Sequence, residues 1–205
     1  MIKAKEKKER ALGTHLHVKG VRCSSPKCAL VRKPYRPGMH GKKRQKKGIS
    51  DFGRQLREKQ KFKVSYGLGE RSLRRIFEEA LRKPGSVALR LVELLEGRLD
   101  NVVFRLGLAL SRSMARQLIS HGHILVNQKR VRSAGFEVKI GDIISIREIS
   151  LGKSAFQNAK DLLKSYEPPS WLHVDKEKLE GRVLAQPEDS AMPFEVNALV
   201  ELFSK

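Results

Sequence analysis

The 205 residues read as an α+β chain: a basic extended N-terminal arm, a small helical domain, and a compact α/β module inserted into it, in which two helices pack on a small, mostly antiparallel sheet. Three observations predict this. Apolar residues recur at helical spacing across residues 50–97. From residue 98 the pattern changes to short helices interleaved with alternating, strand-like runs. The first 49 residues are rich in Lys, Arg, Gly and Pro and have little periodicity. The predicted boundaries are therefore 1–49 for the arm, 50–97 completed by 150–205 for the helical domain, and 98–149 for the module.

The arm carries turn signals at Ser25-Pro26, Arg36-Pro37-Gly38 and Gly41 and is expected to be loop-rich, ordering on a polyanion. Ser50 and Asp51 can cap a helix that runs to Tyr66, before Gly67 and Gly69. A second helix, 70–83, places Leu73, Ile76, Phe77, Ala80 and Leu81 on one stripe. Pro84-Gly85-Ser86 stops it and starts a third, 87–97, with Val87, Leu91, Leu94 and Leu95 apolar. In the module, Asn101–Leu106 is a short helix and Ser111 caps another, with Ala115, Leu118 and Ile119 buried and Gly122 closing it. HILVN then reads as a strand, NQKR as a turn, and FEVKIGDIISIRE as a hairpin turning at Gly141-Asp142. The remainder mixes a helix near 153–165, a turn-rich EPPSWLHVD and an apolar close, FEVNALVELF.

Charge says what class of partner to expect. There are 43 Lys+Arg against 22 Asp+Glu, a net +21. It is uneven: residues 1–63 hold 21 against 4, residues 64–149 hold 15 against 9, and residues 150–205 hold 7 against 9. A chain this basic meets a polyanion, and it does so through its front and middle. No run of about 18 apolar residues occurs, which excludes a membrane-spanning helix. MIKAKEKKERALG has no apolar segment of the secretory kind, and with two cysteines a cytoplasmic location is the default expectation over an organelle.

The candidate polyanion contacts follow from that distribution. In the arm they are Tyr35, Arg36, Gly38 and His40, with the run Lys42, Lys43, Arg44, Lys46 and Lys47; arginine and lysine pair with phosphates, and the rings of Tyr35 and His40 offer stacking faces. Arg54, Arg57, Lys59, Lys61 and Lys63 stud the first helix. In the module, Arg112 and Arg116 are i, i+4 neighbours, expected to project opposite the core, and Ser111 opens that helix. Arg98, Arg105, His121, His123, Lys129 and Arg130 complete the expected basic face. Replacing Arg112 and Arg116 together with Glu is expected to abolish binding without unfolding the chain.

GRLDNVVFRLGLALSRSMARQLISHGHILVNQKRV resembles the RNA-binding module shared by small-subunit ribosomal protein S-four, pseudouridine synthases and some aminoacyl-tRNA synthetases. YRPGMHGKKRQ, SDFGRQLREKQKFKVSYGL and the closing MPFEVNALVELFSK resemble the ribosomal family itself, over about residues 20–205 in the right order. The resemblance implies direct, early binding to the 5′ domain of small-subunit ribosomal RNA where several helices join. It also implies a place near ribosomal protein S-five and the messenger-RNA entry path, and with it a part in translational accuracy and in repression of the protein's own operon. The two histidines, His121 and His123, enter the RNA-contact set on this resemblance.

No covalent chemistry is expected. There is no Walker-type loop or nucleophile motif; Glu78-Glu79 and Glu188-Asp189 read as solvated charge, and the His-x-His pairs at 15–17 and 121–123 lack convergent carboxylates. A pseudouridine synthase would need a catalytic domain of roughly 150–200 residues, and a rescue factor built on the module would lack the long N-terminal half. Many relatives of the ribosomal family carry a four-cysteine zinc site. Here Cys23 and Cys28 remain, but the positions of the earlier pair fall on Glu6 and Glu9, with His15 and His17 as the only replacement nitrogens nearby. The expected cofactor content is none. Elemental analysis of the purified protein should find far less than one zinc per chain; a stoichiometric ion would contradict this.

Overall fold

The computed structural model describes residues 5–42, 48, 50–152, 156, 163, 166–187 and 194–204. Among them are eight helices: α1 (Lys5–Leu12), α2 (Ala29–Arg32), α3 (Asp51–Ser65), α4 (Glu70–Arg82), α5 (Val87–Glu96), α6 (Leu99–Arg105), α7 (Arg112–Ser120) and α8 (Val196–Ser204). Five strands accompany them: β1 (Ile124–Val126), β2 (Lys129–Arg130), β3 (Ile143–Ile146), β4 (Leu172–Asp175) and β5 (Glu180–Val183). The class is α+β. The chain divides into two units, residues 1–88 with 193–205, and residues 89–192.

In the first unit, the Ser50 hydroxyl accepts from the Gly53 amide at 3.2 Å and caps α3 as its sequence predicts. α4 buries Leu73, Ile76, Phe77 and Ala80, while Leu81, expected on that stripe, is 53% exposed. α8 packs on α3: Phe62 meets Phe194 at 5.1 Å, and Gln55 donates to Glu201 at 2.9 Å. Phe77 stacks on Phe203 at 4.9 Å. Lys59 and Lys63 of α3 both donate to Glu70 at the start of α4, at 2.9 and 2.6 Å. The hydrogen bonds from Lys63 and then Lys59 hold the Glu70 carboxyl below its ordinary range.

The arm is more ordered than an extended segment. KEKKERAL contains strong helix formers and folds as α1. The buried Glu9 carboxylate accepts from the amides of Leu16 and Val18, at 3.0 and 3.3 Å, and so folds the next segment back. Leu16, Cys23 and Cys28 are buried behind it.

In the second unit the strands form one antiparallel sheet in the order β2-β1-β3-β5-β4. α6 and α7 bury Leu99, Val102, Val103, Leu106, Ala115, Leu118 and Ile119 against Ile124, Val126, Ile144, Ile146, Leu172, Val174 and Val183. The β1–β2 turn places Asn127 and Gln128 at φ 48° and 62°, the pair of left-handed residues that a tight hairpin needs. Asn127 is the residue type that tolerates this, and its side chain also ties the turn to β3: it donates to Asp142 at 2.8 Å and accepts from the Ile143 amide at 2.9 Å.

Two expectations are corrected here. FEVKIGDIISIRE is not a hairpin. Only its second half forms a strand, β3, which pairs with β1 and β5. The first half crosses the start of α6, where the Leu99 amide donates to Phe136, the Asp100 amide to Ala134, and the Val138 amide to Gly97. The reason is that the Leu99 and Asp100 amides belong to the open first turn of α6 and are satisfied by passing carbonyls, while the passing Val138 amide satisfies the Gly97 carbonyl just before that helix. The boundary at 149 also moves. LHVD and EGRV, expected within a segment returning to the helices, are the paired strands β4 and β5, so residues 150–192 fall in the second unit and residues 193–205 in the first. The expected helix near 153–165 lies mostly outside the described residues.

Gly181 of β5 sits where α6 meets the sheet: a Cβ there would collide with the methyls of Leu106. Gly181→Ala should cost about 1–3 kcal/mol by overpacking, read as a lower thermal midpoint. The same change made on Leu106→Ala should cost less than on the native chain, because the colliding methyls are gone.

Candidate nucleic-acid interface

The module's arginines are organised by two buried carboxylates that sequence reasoning passed over. Glu96, at the end of α5, is fully buried, and Asp100, in the first turn of α6, is 2% exposed. Arg105 grips Glu96 with two bonds, 3.0 and 3.1 Å, and Asn101 donates to the same carboxylate at 2.8 Å. Arg112 donates to the Asn101 side-chain oxygen at 2.7 Å, lies 3.9 Å from Glu96, and stacks 4.6 Å above the Phe104 ring. Arg98 grips Asp100 with two bonds of 3.1 Å, one to each oxygen, and Arg116 donates twice to Oδ2 of the same carboxylate.

Arg112 and Arg116 do share a face of α7, as their spacing requires, but that face looks onto α6 and its acids. This corrects the expectation that they project away from the structure. Burial of Glu96 and Asp100 demands cations, and i, i+4 arginines on the neighbouring helix meet the demand. The signal was present in sequence: Glu96 and Asp100 are themselves i, i+4 at the edge of an apolar run. Four guanidiniums against two carboxylates leave 4 − 2 = +2 in a cluster whose most open member, Arg116, has a side chain 36% exposed.

The other predicted residues divide in the same way. Ser111 is buried and caps α7, accepting from Met114 at 3.3 Å. His123 braces the core edge, with Nδ1 3.0 Å from the buried Ser150 hydroxyl and its ring edge-on to Phe156. His121, Lys129 and Arg130 are exposed. The Arg130 guanidinium lies on Gly122, where any Cβ would strike it, so the hairpin's second strand and the end of α7 form one surface. Gly122 has φ 73°, a left-handed conformation that favours glycine there.

In the first unit Lys59 and Lys63 serve Glu70, and Lys61 lies 2.6 Å from the buried Glu58 carboxylate. These three lysines, expected as contacts, are each paired with a carboxylate of the same unit. Arg54 is open, with a side chain 63% exposed, and Arg57 is half-buried. The Tyr35 ring has Arg10 at 5.1 Å and Lys42 at 5.4 Å, so cations already occupy ring faces expected to be free for bases. Arg10, absent from the predicted set, fixes this corner by donating to the carbonyls of Lys33 and Tyr35. Arg36, Gly38, His40 and Lys42 are exposed. Lys43, Arg44, Lys46 and Lys47 lie outside the described residues.

The cysteines do not fit a zinc centre. Among the described residues no three His, Cys, Asp or Glu side chains are placed to hold a metal. Cys23 lies 3.8 Å from Glu9, whose carboxylate is engaged by backbone amides, and Cys28 lies 3.9 Å from His15 Nδ1. Burial pushes the Cys23 thiol above its ordinary range.

Comparison with known proteins agrees with this anatomy. The family model described as Ribosomal protein S4/S9 N-terminal domain matches residues 1–96, and the S4 domain model matches residues 97–144. The small ribosomal subunit protein uS4 of Acetivibrio thermocellus is 46% identical over 198 residues, covering 96% of this chain and 94% of that protein. Those of Natranaerobius thermophilus and Thermoanaerobacter pseudethanolicus are each 48% identical over the same shares.

Because Arg112 faces buried acids, Arg112→Glu should destabilise the fold itself, by about 3–5 kcal/mol, the cost of an uncompensated buried charge. The Arg112/Arg116 double reversal, expected from sequence to leave the fold intact, should lower the thermal midpoint sharply. An unchanged midpoint would contradict the buried-pair geometry.

Proposed function

The chain belongs to the uS4 family of small-subunit ribosomal proteins, and from that premise we propose that it is a structural constituent of the small ribosomal subunit, binding small-subunit ribosomal RNA directly as a primary assembly protein. The family's work is structural and not enzymatic. The observation that carries the RNA reading is the charge that no internal carboxylate cancels. Residues 1–63 alone hold 21 cations against 4 acids, and two of those acids, Glu9 and Glu58, are buried.

The direct contacts are assigned to the open residues Arg36, His40, Lys42 and Arg54, with the half-buried Arg57, in the first unit, and to His121, Lys129 and Arg130 in the second. Lys43, Arg44, Lys46 and Lys47 are assigned from sequence. Arg98, Arg105, Arg112 and Arg116 act as a set, a positively charged block whose geometry is fixed before RNA arrives. The target is the 5′ domain of the RNA, at a junction of helices. The neighbours are ribosomal protein S-five and the entering messenger RNA, and the same surface serves translational accuracy and repression of the protein's own operon. Its site of action is the cytoplasmic ribosome.

Chemical footprinting of full-length small-subunit RNA, with and without the protein, tests this reading. Protections should cluster at one multi-helix junction of the 5′ domain. Affinity should fall steeply with salt, with a log–log slope of about −0.7 to −0.9 per phosphate neutralised. Scattered protections, or binding almost flat in salt, would contradict it.

A further inference from the structure

The outward face of α4 carries a dense set of uncancelled cations in the first unit, and the predicted contact set does not include it. Arg71, Arg74, Arg75, Arg82 and the following Lys83 are all exposed. Arg71, Arg75 and Arg82 stand at i, i+4 and i+11, which brings them to one side of the helix over about 16 Å of its length. The opposite side is the buried one, with Leu73, Ile76, Phe77 and Ala80. Arg74 has only a loose partner, Glu78, at 3.9 Å, and both side chains are more than half exposed. Among the described residues Arg71, Arg75 and Arg82 form no ion pair with any carboxylate.

The acids of this helix do not offset them. Glu70 is held by Lys59 and Lys63 of α3. Glu78 and Glu79 then oppose five cations, 5 − 2 = +3. The arginines of the second unit's cluster have buried carboxylates; those of α4 face solvent. The single apolar residue on this side, Leu81, is too little to anchor a protein interface, whose centre needs desolvated aromatic or aliphatic groups. A ladder of guanidinium forks suits a run of phosphates, spaced about 3.4 Å per nucleotide along a strand's axis.

We propose that this face of α4 is an additional RNA-backbone surface on which Arg71, Arg75 and Arg82 pair with phosphates. It rests on the ribosomal-RNA reading above. Its contacts are to phosphate and shape and not to bases, since the one aromatic residue of α4, Phe77, is buried on the opposite side.

The test uses the full-length chain and full-length small-subunit RNA. Binding is measured by filter retention across salt for the native protein, Arg71→Gln/Arg75→Gln/Arg82→Gln, and the charge-keeping Arg71→Lys/Arg75→Lys/Arg82→Lys. All three side chains are exposed, so both variants should keep the native circular dichroism and thermal midpoint. The Gln variant should lose affinity tenfold or more at low salt, and its salt slope should shrink by about one per contact removed. The Lys variant should keep most of the slope. If the native protein binds the RNA and the Gln variant matches it in slope and affinity, the α4 surface is wrong while the ribosomal-RNA reading stands. If the native protein does not bind, both fall. Unchanged RNA binding with impaired incorporation into small subunits would assign the face to a protein partner and overturn the proposal too.

Discussion

A chain with 21 more cations than anions folds against its own repulsion. The structure meets this by assigning named cations to a few carboxylates, of which Glu58, Glu96 and Asp100 are buried and Glu70 lies at the surface. Glu96 holds Arg105 and, through Asn101, Arg112; Asp100 holds Arg98 and Arg116; Glu70 holds Lys59 and Lys63; Glu58 holds Lys61. Removing such a carboxylate would not merely lose an ion pair. At Glu96, Asp100 and Glu70 it would also return two like charges to each other at helix junctions, which is why these few acids matter more than their number suggests.

The same arrangement separates structure from function among chemically identical side chains. A lysine on α3 and a lysine on β2 look alike in sequence. One is tied between helices, and the other stands on an exposed turn beside Arg130 and His121. On the proposed reading the tied arginines of the module serve binding too, because a guanidinium locked by a carboxylate loses little freedom when a phosphate arrives. The cost of ordering it falls on folding instead.

How much of this could be read from the sequence depends on the range of the interaction. The helices from α3 to α7 were legible because their signals are local: Ser50 and Ser111 as caps, Gly122 as a terminator, apolar spacing for the buried faces. The Asn127-Gln128 turn was legible for the same reason. The β4–β5 pair was not, because LHVD and EGRV are short, and EGRV is held in the sheet by β3, more than 30 residues earlier in the chain. The direction of Arg112 was also hidden. Spacing placed it with Arg116 on one face, yet only the presence of Glu96 and Asp100 decides whether that face looks out or in. The arm's order was missed because it hangs on one residue, Glu9, whose buried carboxylate reads as ordinary surface charge in sequence.

The division of cations into tied and open sets is most directly tested by quantitative lysine acylation, read by mass spectrometry, on the free protein and on its complex with small-subunit RNA. Lys59, Lys61 and Lys63 should react slowly in the free protein and change little when RNA binds. Lys42 and Lys129 should react fast when free and become protected in the complex. Fast reaction of the α3 lysines in the free protein, followed by strong protection by RNA, would show that they are contacts and not ties, and would contradict the division.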